Sequence, residues 1–346
     1  MQRLVFFGFA DWGYHYHWES FAQVLERLAK DIAQPSFMLA VGDNIYPNGA
    51  TSAKDSKLLL WKKIFVNNAH ESIRVPWNLI LGNHDYHWDS NGRNGEVDFT
   101  FNKEHNAERL WNLPDRNYQF KHEIPNSGGK FVEFFGVDTN AAQWSVQKEH
   151  SGAKQALILY MASLTTLLQQ STATWKIVFG HHPLYTGGAG HQAEARCLRG
   201  FKYTTGSNSQ VHEGIGMEDA LRQGGADLYI SGHDHVTQYI EDPTCRLKHF
   251  VVGAALEVGY YQGKFGGGAS GGAETPLDPH RSITLTGSCI DWALESSCGV
   301  CIFNVGVEDI MVQVANTTTG EVCKEFVVSK FPNKGSLKSL TKTCEE

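Results

Sequence analysis

The chain has 346 residues, of which 41% are hydrophobic, 12% aromatic and 19% charged, with a formal net charge of −7. That length supports a substantial core in one large domain or two ordinary ones, and the composition excludes a disordered or low-complexity chain. The negative balance gives no general electrostatic basis for binding nucleic acid or an anionic membrane, so a phosphate-handling site needs local positive charge.

The chain opens on RLVFFGF, which reads as the first core strand and not as a signal peptide, so a trimmed leader and an intracellular protein both stay open. Apolar runs recur as FFGFAD, FMLAVGDN, WNLILGNHD, FVEFFGVDT, WKIVFGHH and DLYISGHDH, each a buried strand ending in polar residues. WESFAQVLERLAKDIA and KQALILYMASLTTLLQQ carry helical spacing between them. Alternating strand and helix predict an α/β architecture whose ligands gather beyond the strand C-termini.

After residue 245 the pattern turns strand-rich, in LKHFVVGAALE, SCGVCIFNVG, DIMVQVANT and CKEFVVSK, and predicts a second, largely antiparallel sheet. No Pro- or Ser-rich linker separates the halves, so residues 1–330 are expected to form a single domain of two sheets packed face to face. The glycine-rich stretch 259–272 reads as a loop, and 331–346 as a polar, lysine-rich tail. No apolar run has the length of a membrane span, so no transmembrane segment is expected.

Of the seven cysteines, Cys298 and Cys301 form a lone C-x-x-C without a second pair. Thiolate zinc is therefore not expected, while scattered disulfides and buried thiols both stay open. The odd count leaves at least one cysteine unpaired in a monomer, the expected oligomeric state. Sixteen histidines raise the question of bound metal.

Five motifs close successive strands: A-D-W-G at Asp11, G-D-N-I-Y from Asp43 to Tyr46, G-N-H-D from Asn83 to Asp85, G-H-H-P at His181, and G-H-D-H from His233 to His235. Singly, each has an ordinary structural reading, since an Asp after a strand often caps a helix and a G-x-H is often a turn. Together they place carboxylates, imidazoles, an amide and a phenol at strand ends that a parallel sheet brings together. The glycine before most of them lets the chain turn sharply and approach an ion closely.

This set resembles the motifs of metallophosphoesterases, and the tyrosine resembles the tartrate-resistant type of purple acid phosphatase, with the likeness running from about residue 3 to 325. The resemblance implies two packed mixed β-sheets flanked by helices, an αββα sandwich, and hydrolysis of phosphomonoesters, small molecules or phosphoproteins, by direct attack of a metal-bound hydroxide. It implies Asp11, Asp43, Tyr46 and His235 on a ferric ion, and Asp43, Asn83, His181 and His233 on a divalent partner, with Asp43 bridging. Three anionic oxygens and one imidazole suit Fe(III); the softer second set accepts Fe(II), Zn(II) or Mn(II). His84, directly after Asn83, resembles the family's substrate-side histidine, and His191 resembles a second one that follows the G-H-x-P motif.

Ala10 stands where the family has glycine before the first aspartate, a change expected to tighten the turn while keeping the carboxylate. His182 stands where the family often has tyrosine and is expected to add a titratable group near the mouth of the site. The segment between Asp138 and Lys154 is short, with little room for the inhibitory loop of some relatives. His15, His17, His87 and His122 match no ligand position and read as exposed or hydrogen-bonded. Trp12, Trp88 and Trp144 read first as packing residues. The sequon at Asn316 and the resemblance point to a secreted or lysosome/vacuole-like location. Two rival functions are a phosphatase-like scaffold that has lost turnover and a nucleotide or lipid phosphodiesterase; the complete ligand set argues against the first, and Tyr46 against the second.

Overall fold

The computed structural model describes residues 2–68, 71–86, 94–142, 153–186, 195, 198, 201–205, 210–241, 247–256, 284–285, 288–294 and 298–330. Among these, one seven-stranded sheet has the spatial order β17 (Val322–Ser329), β16 (Asp309–Asn316), β15 (Cys298–Val305), β1 (Leu4–Phe9), β2 (Phe37–Val41), β3 (Trp77–Ile80) and β4 (Trp111–Asn112). The eight-stranded sheet runs β13 (Thr284–Leu285), β14 (Ser288–Leu294), β11 (Thr237–Glu241), β12 (Lys248–Val252), β10 (Leu228–Ser231), β7 (Trp175–Phe179), β6 (Phe131–Gly136) and β5 (Tyr118–Glu123). A separate hairpin pairs β8 (Phe201–Thr205) with β9 (Gln210–Gly214).

Both sheets are mixed. In the first, β1, β2 and β3 run parallel while β15 lies antiparallel against β1; in the second, β6, β7, β10 and β12 run parallel and β11 lies antiparallel between β12 and β14. The strand-rich C-terminal region does not build a sheet of its own, contrary to the expectation from its composition. β15, β16 and β17 extend the first sheet, and β13 and β14 extend the second. The physical reason is edge protection: an unpaired β1 would expose a row of backbone donors and acceptors beside the most apolar strand, and β15 covers it.

Side-chain alternation along β1 sorts the core. Leu4 and Phe6 point between the sheets, where they meet Leu39, Ile80, Phe134, Ile177, Ile230, Phe250 and Phe303, contributed by both sheets. Phe6 stacks between Phe37 and Phe303, at ring-centroid distances of 5.1 and 4.6 Å. Such pairs contribute about 0.5–1.5 kcal/mol each beyond the area they bury. Phe7 and Phe9 point to the other face, under the helix Trp18–Asp31, which buries Phe21, Leu25 and Leu28 at helical spacing. On the far side of the second sheet, Leu157, Met161, Leu164 and Leu168 of the helix Ala153–Gln170 pack with Met217, Ala220 and Leu221 of the helix Met217–Gly224. The result is the expected αββα sandwich.

The glycine-rich stretch, the tail 331–346, and the whole of the segment 143–152 lie outside the described residues. Cys301 is a free, buried thiol and Cys323 is disulfide-bonded, so the two cysteine readings left open by the sequence both occur. No helix among the described residues is long and apolar enough to cross a membrane.

Candidate metal centre

The parallel strands β1, β2 and β3 of one sheet and β7 and β10 of the other end at the same side of the sandwich, and each is followed at once by one of the five motifs. The chain turns there through unusual backbone geometry. Asp11, Asp43 and His233 have φ of 58°, 51° and 68°, left-handed values that non-glycine residues seldom adopt and that cluster at functional sites. Two of the preceding glycines are required by space. A Cβ on Gly42 would lie 2.5 Å from the His181 ring, and one on Gly82 would lie 2.1 Å from the Asp43 carboxylate. Absence of a side chain thus brings the loops into contact.

Asp43 occupies the middle. Its Oδ2 accepts a hydrogen bond from the Tyr46 hydroxyl at 2.9 Å, and its Oδ1 lies 3.3 Å from His181 Nε2. On the first side, the Tyr46 hydroxyl is 3.3 Å from Asp11 Oδ1 and 3.4 Å from His235 Nε2, and His235 Nε2 is 3.3 Å from Asp11 Oδ1. Ligand atoms of Asp11, Asp43 and His235 all lie within 4.8 Å of one another. On the second side, His181 Nε2 is 3.0 Å from Asn83 Oδ1, and the His233 ring centroid is 5.0 Å from that of His181. His181 Nδ1 is directed at the Val41 carbonyl at 2.9 Å, which aims Nε2 at the cluster. All seven residues expected as ligands from the sequence are brought to one place.

Electrostatics show why a cation fits this donor set. Burial alone would raise the Asp43 carboxyl, but the His181, His84 and His233 imidazoles outweigh it and hold it well below the usual carboxylate range. Burial would lower His181, yet Asp43 and Asp11 push it up to about 10. Burial, then Asp43 and Asp11, lift the Tyr46 phenol well above its ordinary value. Buried carboxylates therefore draw protons onto an imidazole and a phenol, and a polyvalent cation would replace those protons with a stronger counter-charge.

His84 sits at the open side. Its side chain is 39% exposed, its ring is 4.5 Å from that of Tyr46, and its Nε2 is 4.0 Å from Asp43 Oδ2. Nδ1 donates to the Pro47 carbonyl at 2.7 Å, which leaves Nε2 on the side of the ring nearer Asp43. His191, the other expected catalytic histidine, lies outside the described residues, as do His87, Trp88 and Trp144. His182 departs from expectation: it is buried, not at the mouth, because Nδ1 pairs with Thr139 Oγ1 at 2.8 Å and the ring packs 4.3 Å from His233. His15 and His17 are exposed, as expected, whereas His122 is half-buried and stacks on Phe37 at 4.5 Å. Trp12 is a packing residue, buried beside Trp18, Phe65 and Trp77.

Several supporting residues carried no separate signal. Asp234, between the two histidines of G-H-D-H, is buried against Thr186 and Gln238 and so anchors the turn. Tyr14 stacks on Tyr46 at 4.1 Å and 15°, fixing the plane of that ring. Asn44 and Asp85 lie inside recognised motifs and face into the protein, where Glu96, from a helix with no motif at all, meets them.

A buried cluster of carboxylates and imidazoles thus lies where the strand ends of two packed sheets converge, a donor set suited to a cation. The family model of the calcineurin-like phosphoesterases matches residues 4–237, and the chain belongs to that family. Purple acid phosphatase 4 of Arabidopsis thaliana is 27% identical over 273 residues, covering 75% of this chain and 70% of that protein. Tartrate-resistant acid phosphatase type 5 of Sus scrofa is 26% identical over 214 residues, 60% of this chain and 54% of the relative. Against three further Arabidopsis purple acid phosphatases the chain spans 53 to 58% of their length. Among solved structures, GAP50, the anchor in the inner membrane complex of Plasmodium, superposes with a TM-score of 0.66 at 18% identity, covering 96% of this chain and 91% of its own. Purple acid phosphatase PPD1 from yellow lupin seeds superposes with 0.53 at 14% identity, covering 94% and 54%. At these identities the structural likeness speaks for the fold alone.

Proposed function

We propose that this chain is a dinuclear-metal acid phosphatase that hydrolyses phosphomonoesters without a covalent enzyme intermediate. The observation that carries the reading is the straddling carboxylate of Asp43, one oxygen directed at Tyr46 and the other at His181. Asp11, Asp43, Tyr46 and His235 would hold Fe(III), and Asp43, Asn83, His181 and His233 a divalent Fe(II), Zn(II) or Mn(II). When bound, the metal pair supplies Lewis acidity, acidifying water and neutralising charge on the phosphate.

The chain's own residues do the rest. Asp43, common to both donor sets, would lower the repulsion between two bound cations, and Asp11 Oδ2 accepts the His233 backbone N–H at 2.9 Å, joining the loops of the two sheets. His84, partly exposed and with Nδ1 committed to the Pro47 carbonyl, holds Nε2 on the side of the Asp43 carboxylate, where it would donate a hydrogen bond to a phosphate gathered at the cluster and give its proton to the departing alkoxide. His191 is proposed as a second substrate-side histidine from the sequence alone. The disulfide at Cys323 is the chemistry of an oxidising compartment and supports a secreted or lysosome/vacuole-like location.

The assignment of Tyr46 to iron is tested by colour. A phenolate on ferric iron absorbs visible light, and Tyr46→Phe keeps the ring that stacks on Tyr14, so the expected variant is folded and colourless. A visible band that survives in Tyr46→Phe would remove Tyr46 from the iron. A second reading is a scaffold with the same fold and no turnover; GAP50, described as an anchor, shares the fold alone, and a direct assay separates the two readings.

A further inference from the structure

The segment between the first ligand loop and the helix Trp18–Asp31 carries an aromatic run, GYHYHW, that contributes no ligand to the metal centre. Its two ends are fixed. Gly13 lies so close to the Asp43 loop that a Cβ there would meet the Ile45 nitrogen at 2.7 Å, and its carbonyl accepts the Tyr46 N–H at 3.1 Å. Trp18 is buried, and its Nε1 donates to the Trp12 carbonyl at 2.8 Å. Between them His15–His17 form a short 3₁₀ turn, closed by the His17 N–H on the Tyr14 carbonyl at 2.9 Å and by the Ser20 hydroxyl on the His17 carbonyl at 2.8 Å.

This turn extends a row of rings outward from the cluster. His84 contacts Tyr46 at 4.5 Å, Tyr46 stacks on Tyr14 at 4.1 Å, Tyr14 meets Tyr16 at 5.6 Å, and Tyr16 meets His17 at 4.5 Å. The inner end is the phenol that touches Asp11 and Asp43. The outer end is Tyr16, 64% exposed, with His15 and His17 exposed as its chain neighbours. A large ring on a hydrogen-bonded turn is held ready for a ligand, because a tyrosine has only two torsions to fix and its backbone is already in place. Such a ring favours another planar ring, which stacks on it offset or edge-on.

We propose that Tyr14 and Tyr16 form a leaving-group subsite, in which a planar aromatic group attached to the phosphate stacks on the Tyr16 ring, and that Tyr16 sets a preference for aryl over alkyl phosphomonoesters. The inference deepens the phosphatase reading and rests on it: a phosphate seated at the cluster directs its ester group away from the buried carboxylates, toward the exposed end of the row. An alkyl group at the same place covers less of the ring and has no quadrupole to match it. Stacking acts on affinity for the ester, whereas the proton from His84 acts on bond breaking, so the two residues separate into KM and kcat.

The test is calorimetric titration of phenylphosphonate and butylphosphonate, which carry no cleavable ester, into the metal-loaded full chain, as wild type, Tyr16→Ala, Tyr16→Leu and Tyr16→Trp, beside kcat and KM for nitrophenyl phosphate. Tyr16→Ala is expected to weaken phenylphosphonate about 3- to 10-fold, the range an aromatic pair commands, and butylphosphonate less than about twofold. The same variant should raise KM for nitrophenyl phosphate with kcat little changed. Tyr16→Trp is expected to hold phenylphosphonate at least as tightly as wild type, and Tyr16→Leu to be as weak as Tyr16→Ala. Equal losses for both phosphonates, or no loss for either, would overturn the subsite. Tyr16→Leu with wild-type affinity for phenylphosphonate would overturn stacking as its basis. Should Tyr16→Ala fail to fold, Tyr16→Leu against Tyr16→Trp decides alone, and equal affinities there end the idea. A wild type that binds neither phosphonate and cleaves no phosphomonoester fails at an earlier step, since it removes the phosphatase reading and the subsite with it.

Discussion

Asp43→Ala is expected to empty both metal positions and to reduce phosphatase turnover by more than about a hundredfold. Loss of a mere supporting partner of a metal ligand typically costs about 10–100-fold, and Asp43 stands closer than that to both halves of the site. Its two oxygens face Tyr46 and His181, and Oδ1 also accepts the His84 backbone N–H at 3.0 Å. Without it, the Tyr46 hydroxyl loses its nearest acceptor. His181 loses the main partner that holds it up at about 10, so burial drives the ring toward neutrality. Two cations brought together without their shared anion repel. Metal analysis of the purified variant checks the point: two ions bound at full occupancy would refute the bridging role.

His84→Ala should act differently, keeping both metals while losing turnover selectively. An alkoxide is a poor leaving group and needs a proton as the ester bond breaks, whereas nitrophenolate leaves without help. General acid catalysis is typically worth on the order of a hundredfold. The expected loss is therefore about that large for an alkyl phosphate and small for nitrophenyl phosphate. The competing role for His84 is to buttress the loop through its bond to the Pro47 carbonyl. In that case the variant loses divalent metal and falls equally on both ester classes. Rates for the two substrates, measured beside metal content, distinguish these roles, and equal losses with a depleted second site would end the general-acid assignment.

Much of the fold was legible because strands buried on both faces read as unbroken apolar runs. LVFFGF and FMLAV could be placed from composition alone. Partnership was another matter. β15 pairs with β1 across nearly the whole chain, and alternation identifies a strand without naming its neighbour, so the C-terminal strands were expected in one sheet and are divided between two. β5 escaped notice because only alternate residues of YQFKHE turn inward.

The site divides along similar lines. Asp11, Asp43, Asn83, His181, His233 and His235 stood out because strand, glycine and ligand follow one another in a repeated order. His182 shows the limit of that logic: adjacency to His181 says nothing of the ring's direction, and Thr139 draws it into the interior. Glu96 was invisible in sequence, since a carboxylate in the first turn of a helix ordinarily serves the helix dipole from the surface. Only its burial and the hydrogen bond it accepts from Asn44 set it apart.

The hydrolase reading is tested most directly by measuring metal content and visible absorption of the purified chain together with its turnover of nitrophenyl phosphate at acidic pH. Roughly one iron and one further divalent ion per chain, a broad visible band and hydrolysis that disappears when metal is removed are the expected results. A correctly folded chain that holds no iron and turns over no phosphomonoester would contradict it.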